Sequence, residues 1–229
     1  MTEKKSAHTV VIKKEILKMN ITEEEWNQLE KFFLDQTGIS MQEDILLLYH
    51  FTKNLKFKNI LELGIGEEAN SAKAFCYAIS QSPEPKPTFT SIDIDENHIK
   101  QCMEILKGYG YDKYITPILS DSIEFLKNAP QKYYDCIFID SSHEFQHTLD
   151  EIVWSSIKIK PEGYIFLHDT RKDGVGQAIF GFLSNNRYTY TEFNTVAGLG
   201  LILKKSYGDL IDKIYNLKGF AKKVESGSS

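Results

Sequence analysis

Cysteine is scarce in this sequence: Cys76, Cys102 and Cys136 are its only thiols among 229 residues, and no two are close enough to form a zinc-binding or redox pair. Their odd number and apolar settings exclude a disulfide framework and read as reduced core thiols of a cytoplasmic protein. Long apolar runs are missing too. Nothing approaches the ~18 residues of a membrane span, and the opening "MTEKKSAHTVVIKKE" has no h-region, so neither export nor membrane insertion is expected. Basic charge is not in excess: 27 Lys+Arg stand against 32 Asp+Glu, for a net charge of -5, with no basic stripe. Binding to a nucleic-acid backbone is therefore not expected. Internal repeats and low-complexity segments are absent, and the one Pro-rich stretch, "SPEPKP" (82–87), reads as a loop.

What is present is ordinary globular composition, 41% hydrophobic and 26% charged, at a length that suits one large α/β domain. In "ITEEEWNQLEKFFLDQTG", Thr22 and Glu25 form a capping box. Trp26, Leu29, Phe32 and Phe33 give a helical stripe, and Gly38 ends the segment. A second helix is expected over 42–56. Strand-like runs then appear at 59–64, 88–94, 114–119, 134–140 and 164–169, with helical stretches near 69–81, 96–108, 121–128, 146–158 and 174–186. Five such alternations predict a doubly wound parallel sheet. The runs at 188–194 and 198–203 are joined too closely for a crossover, so that pair should be antiparallel. The expected organisation is an arm with helices (1–57), a core (58–205), and a C-terminal helix with a disordered tail (206–229).

In such a sheet, ligands bind beyond the carboxyl ends of the strands, near the point where strand order reverses. The first strand ends in Glu62-Leu63-Gly64-Ile65-Gly66-Glu67-Glu68-Ala69. Gly64 and Gly66 permit a tight turn and close backbone approach to a ligand. Taken alone, the pattern also fits a dinucleotide fingerprint. Glu62, however, suits a cofactor that carries an ammonium group, and Glu67 with Glu68 would repel a pyrophosphate. These residues favour S-adenosylmethionine over NAD. Asp93, at the end of the second strand, is the natural acceptor for two ribose hydroxyls, with Asp95 as a rival. Asp121 and Ser122 either meet an adenine amino group or serve as an ordinary N-cap.

The segments "ILELGIGEEANSAKAF", "TSIDIDENH", "SDSIEFL", "YDCIFIDSSHEFQHTLDEIVWSSIKIKPEGYIFLHDT" and "DGVGQAI", in this order, resemble a class I S-adenosylmethionine-dependent methyltransferase. More narrowly, they resemble the bacterial group of macrocin-type sugar O-methyltransferases and cephalosporin-hydroxylase-like proteins, over residues 58 to 203. The resemblance implies a Rossmann-like sheet of seven strands with an antiparallel last strand, and cofactor contacts at Glu62, Gly64, Gly66, Asp93, Asp121 and Ser122. It also implies that the helices before the core form a lid or a homodimer contact.

Asp140 closes the fourth strand, His143 follows three residues later, and His168-Asp169 close the fifth. Two carboxylates suit Mg²⁺, and an imidazole beside them shifts the choice toward Mn²⁺. The resemblance implies a metal on Asp140 and Asp169. His168 stands where metal-binding relatives commonly have an acid, so it is either a third ligand or the mark of a member without a metal. His143 is the candidate base for a hydroxyl of a small acceptor, such as a sugar or natural product, with Asp140 beside it. His147 is a weaker candidate. Two other readings stand beside this one: an NAD(P)-dependent oxidoreductase, and a methyltransferase-like fold kept as a binding module.

Overall fold

The computed structural model describes residues 22–25, 27–28, 42–184 and 188–204. The arm 1–20, the stripe of Trp26, Leu29, Phe32 and Phe33 with Gly38, and the expected C-terminal helix and tail lie outside the described residues. In chain order the elements are α1 (Gln42–Leu55), β1 (Asn59–Leu63), α2 (Asn70–Ser80), β2 (Thr88–Asp93), α3 (Glu96–Gly108), β3 (Thr116–Leu119) and α4 (Ser122–Asn128). They continue as β4 (Tyr134–Ile139), α5 (Phe145–Lys158), β5 (Ile159–Leu167), α6 (Asp173–Leu183), β6 (Tyr188–Phe193) and β7 (Leu199–Lys204).

The strands form one sheet in the order β3-β2-β1-β4-β5-β7-β6. β1 to β5 are parallel, and β7 runs antiparallel to β5 and also to β6, the latter as the short connection requires. Chain order reverses between β1 and β4, which places the ligand crevice there. Two strands start elsewhere than their apolar runs suggest. A 3₁₀ turn at Asp112–Tyr114 delays β3, and β5 begins early, at Ile159, with a register shift opposite Tyr134 and Cys136 and with Glu162 in the left-handed region at φ 67°.

Burial on both faces explains the near-continuous apolar runs of the central strands. Alternation sends Ile60, Cys136, Phe138 and Phe166 into one core layer and Leu61, Leu63, Ile137, Ile139, Ile165 and Leu167 into the other. Extended by one step of two residues, the first set leads to Asp140 and His168, and it includes Glu62. The polar strand ends therefore share one face.

That face is covered by α1. Ile45, Leu46, Leu47, Leu48, Tyr49 and Phe51 are all buried in its core layer, as expected of a helix apolar on nearly every side. The Phe51 ring lies 4.9 Å from Phe166 and 5.5 Å from Phe193 between centroids. The capping box before α1 closes reciprocally: Thr22 Oγ1 accepts the Glu25 N–H at 3.2 Å, and Glu25 Oε2 accepts that of Thr22 at 2.7 Å. Glu25 Oε1 also accepts the Tyr49 hydroxyl at 2.9 Å, which ties that turn to α1. All three cysteines are buried and unpaired, and among the described residues no helix is long and apolar enough to cross a membrane.

Because α1 is part of the core layer, Phe51→Ala should cost about 3–5 kcal/mol. In urea unfolding followed by circular dichroism, the whole transition should move to lower denaturant. A main transition left in place would show that α1 is an appendage.

Candidate functional site

The turn after β1 is shaped by the strands beside it. A Cβ on Gly64, whose φ is 92°, would stand 2.2 Å from the carbonyl oxygen of Asp140, so only glycine lets the ends of β1 and β4 meet. The Gly64 N–H donates to the Ile92 carbonyl at 2.8 Å and joins the turn to β2. Asp93, at the end of β2, accepts the N–H groups of Ile65 at 3.0 Å and Gly66 at 3.2 Å on Oδ2, and that of Asp95 at 2.8 Å on Oδ1. The carboxylate expected to hold a ribose thus also holds the glycine turn, which takes three of its roughly four acceptor sites. On its other side the turn is open, since a Cβ on Gly66 would meet nothing within 4 Å.

Glu62 departs from expectation. Its side chain is fully buried, and its two oxygens accept the hydroxyls of Ser71 and of Ser91, the latter at 2.5 Å. The direct contact with a cofactor's ammonium group expected from the sequence is not what this structure shows. The carboxyl instead joins β1, α2 and β2 beneath the turn. Burial pushes its pKa up to about 8, against the pull of the two serine hydrogen bonds, and the negative fields of Asp140 and Asp93 add to the rise.

Asp95 and Asp121 are helix N-caps, accepting the N–H groups of Asn97 at 2.8 Å and Glu124 at 2.9 Å. Ser122 Oγ lies 3.1 Å from His147 Nε2, and the same nitrogen is 3.4 Å from Glu151 Oε1. His147 is thereby bound into the packing of α4 against α5. Ile94 and Leu119, at the paired ends of β2 and β3, are 74% and 56% exposed. Leu119 pairs with Asp93, and Ile94 follows Asp93 in the chain.

At the ends of β4 and β5, the residues expected to carry the chemistry do come together. His168 is buried, with Nδ1 3.2 Å from Asp140 Oδ1 and Nε2 3.2 Å from Asp44 Oδ2 on α1. Burial alone would lower its pKa, but hydrogen bonds to Asp140, Asp169 and Asp44 carry the imidazole up to about 12. Burial likewise pushes the Asp140 carboxyl up, while His168 draws it down. Asp169 breaks the strand alternation, with a left-handed φ of 54°. Its Oδ2 is 2.8 Å from His143 Nε2 and 2.6 Å from Lys172 Nζ, and Lys172 Nζ is 3.1 Å from His143 Nε2. Burial raises the Asp169 carboxyl, but His168 and Lys172 more than reverse this and hold it well below the usual carboxylate range. The backbone behind His143 is equally tight: a Cβ on Gly174, in the first turn of α6, would stand 2.0 Å from the His143 carbonyl oxygen.

Residues 61–170 match a family model described as a methyltransferase domain. That stretch, just under half of the 229 residues, is similar to a methyltransferase domain. Among solved structures, it is similar to the methyltransferase PaMTH1 of Podospora anserina with S-adenosylhomocysteine bound, at 16% identity and a TM-score of 0.62, over 90% of this chain and 99% of that one. A putative caffeoyl-CoA O-methyltransferase from Staphylococcus aureus gives 18% and 0.64 over 86% and 98%. The O-methyltransferase TomG from Streptomyces achromogenes, involved in tomaymycin synthesis and in complex with S-adenosylmethionine, gives 16% and 0.60 over 77% and 88%. At these identities the likeness to solved structures speaks for the fold. No curated protein matches the sequence.

Three residues near the strand ends were not singled out by the sequence. Asp44 sits in the apolar run "DILLLYHF" and reads as a helix-start acid; its meeting with His168 spans 124 positions. Lys172 reads as one more cation in the turn "HDTRKDG". Ile94, apolar between two aspartates just past a strand, carried a signal that could have been used. Each ring nitrogen of His168, expected either as a metal ligand or as the mark of a member without a metal, faces a carboxylate.

The raised pKa of Glu62 sets a pH dependence. Above the unfolded value near 4.5, the unfolded chain releases this proton while the folded protein keeps it up to about 8, so stability falls as pH rises between the two. Glu62→Gln should remove that slope. Melting temperatures from pH 5 to 8.5 should show the wild type losing ground to the variant as pH rises; parallel curves would contradict the assignment.

Proposed function

We propose that this protein methylates a hydroxyl oxygen of a small acceptor, such as a sugar or natural product, with His143 as the base. The observation that carries the reading is the placement of His143. Its ring is 41% exposed at the mouth of the strand ends, with Nε2 2.8 Å from Asp169 Oδ2. Where Nε2–H is donated to Asp169 rather than Nε2 accepting from Lys172, which stands 3.1 Å from the same nitrogen, Nδ1 is left as the proton acceptor. Bound S-adenosylmethionine supplies the methyl group on a sulfonium. His143 takes the acceptor's hydroxyl proton, the oxygen–methyl bond forms as the sulfur–methyl bond breaks, and S-adenosylhomocysteine leaves.

The cofactor reading is supported by the residues around the turn. Asp93 and the open side of Gly66 suit a ribose, and the exposed Ile94 and Leu119 suit a flat adenine ring. The complexes reported for PaMTH1 and TomG support the same choice, and the names of TomG and of the staphylococcal protein support oxygen as the accepting atom. The three buried thiols support a cytoplasmic setting.

A divalent metal on Asp140, His168 and Asp169 does not fit these residues. Asp140, His143 and Asp169 do bring ligand atoms within 4.8 Å of one another. Lys172 already stands against that set, however, and His168 neutralises Asp140. No step is therefore assigned to a metal.

Calorimetry with S-adenosylhomocysteine tests the cofactor reading: one equivalent should bind, and no binding would sink it. His143→Ala should then lower methyl transfer to hydroxylated acceptors by about 10²–10⁴-fold with S-adenosylhomocysteine affinity nearly unchanged. Full turnover in that variant would remove His143 as the base.

A further inference from the structure

We propose that the ammonium of Lys172 is the resident cation of the methyl-transfer site and holds the place a divalent ion would need. The inference rests on the methyltransferase reading of the site only for its mechanistic consequence; the charge pairing stands by itself.

Two carboxylates at the strand ends, Asp140 and Asp169, would have to attract the ion. Each already has a cationic partner. Asp140 Oδ1 faces His168 Nδ1 at 3.2 Å, and His168 Nε2 faces Asp44 Oδ2 at the same distance, so an imidazolium would satisfy both carboxylates. Asp169 Oδ2 faces Lys172 Nζ at 2.6 Å. The third potential ligand, His143, has Lys172 Nζ at 3.1 Å from Nε2, on the edge it would turn toward an ion. A divalent cation here would stand a few ångströms from an ammonium and an imidazolium, and like charges at that separation repel strongly where water is partly excluded.

Lys172 is also well placed to stay. It is the N-cap residue of α6, and its backbone N–H donates to the Asp169 carbonyl at 2.9 Å, so the turn brings its side chain back over Asp169. With the side chain half exposed, the ammonium can meet an acceptor oxygen as that oxygen loses its proton to His143. A positive charge beside the developing oxyanion is the electrostatic service a metal would otherwise give.

The test needs no knowledge of the acceptor. Metal-stripped full-length protein is titrated with Mn²⁺, and free Mn²⁺ is read by electron paramagnetic resonance for the wild type, Lys172→Arg, Lys172→Met and the double variant Lys172→Met/His143→Ala. The wild type and Lys172→Arg should bind Mn²⁺ at least about tenfold more weakly than Lys172→Met, and the double variant should lose what Lys172→Met gained. Equal binding by wild type and Lys172→Met would overturn the proposal. No binding by Lys172→Met, or binding kept in the double variant, would overturn it as well. S-adenosylhomocysteine calorimetry on the same samples keeps the two questions apart: its failure counts against the cofactor reading, whereas the Mn²⁺ series alone decides the role of Lys172.

Discussion

The buried bridge from Asp44 through His168 to Asp140 is the constraint on which the site depends. It joins a helix that precedes the sheet to the ends of two central strands, through a side chain that is only 5% exposed. Removing one partner of such a pair strands a buried charge and typically costs about 3–5 kcal/mol. A like-sized apolar replacement of the whole bridge would be far less harmful to stability, so the bridge is better explained by what it positions. Among the described residues, Asp44 Oδ1 is one of the few buried polar atoms with no hydrogen-bond partner. An acceptor left in that state carries a desolvation cost that a purely structural pair would avoid.

From this bridge the rest of the geometry follows. The residue after His168 leaves the strand alternation. Asp169 adopts φ 54° and faces His143 and Lys172. Such a backbone costs about 1–3 kcal/mol for a residue other than glycine, and here it turns the carboxylate to His143 Nε2. On the cofactor side, Asp93 holds the glycine turn, Glu62 ties β1 to α2 and β2 from below, and the absence of a Cβ at Gly64 lets β1 and β4 close. One end of the site is thus held by hydrogen bonds, the other by paired charges.

Much of the fold was legible in the sequence because its signals are local. Apolar runs separated by amphipathic stretches located the strands and helices, and the short link between 194 and 198 was enough to make the last pair antiparallel. The early start of β5 was hidden by "KPEG", which reads as a turn although the chain pairs with β4 on either side of it. In the site, strand-end positions pointed to Asp93, Asp140, His143 and Asp169, because the end of a strand is a place in three dimensions that one dimension encodes. Direction was not encoded. Whether Glu62 looks up to a ligand or down to Ser71 and Ser91, and whether His168 meets an ion or a second carboxylate, depends on packing against α1 and α2. Asp44 could not be found by spacing, since nothing near it in the sequence hints at a partner 124 residues away.

The protonation state of His168 tests the account most directly. Nitrogen-15 chemical shifts of the imidazole, assigned by comparison with a His168→Gln variant, distinguish an imidazolium from either neutral tautomer. A doubly protonated ring is expected from pH 6 to pH 9, consistent with a pKa pushed up to about 12 by its carboxylate partners. A ring that titrates near the ordinary histidine value, or is neutral at pH 7.5, would contradict it.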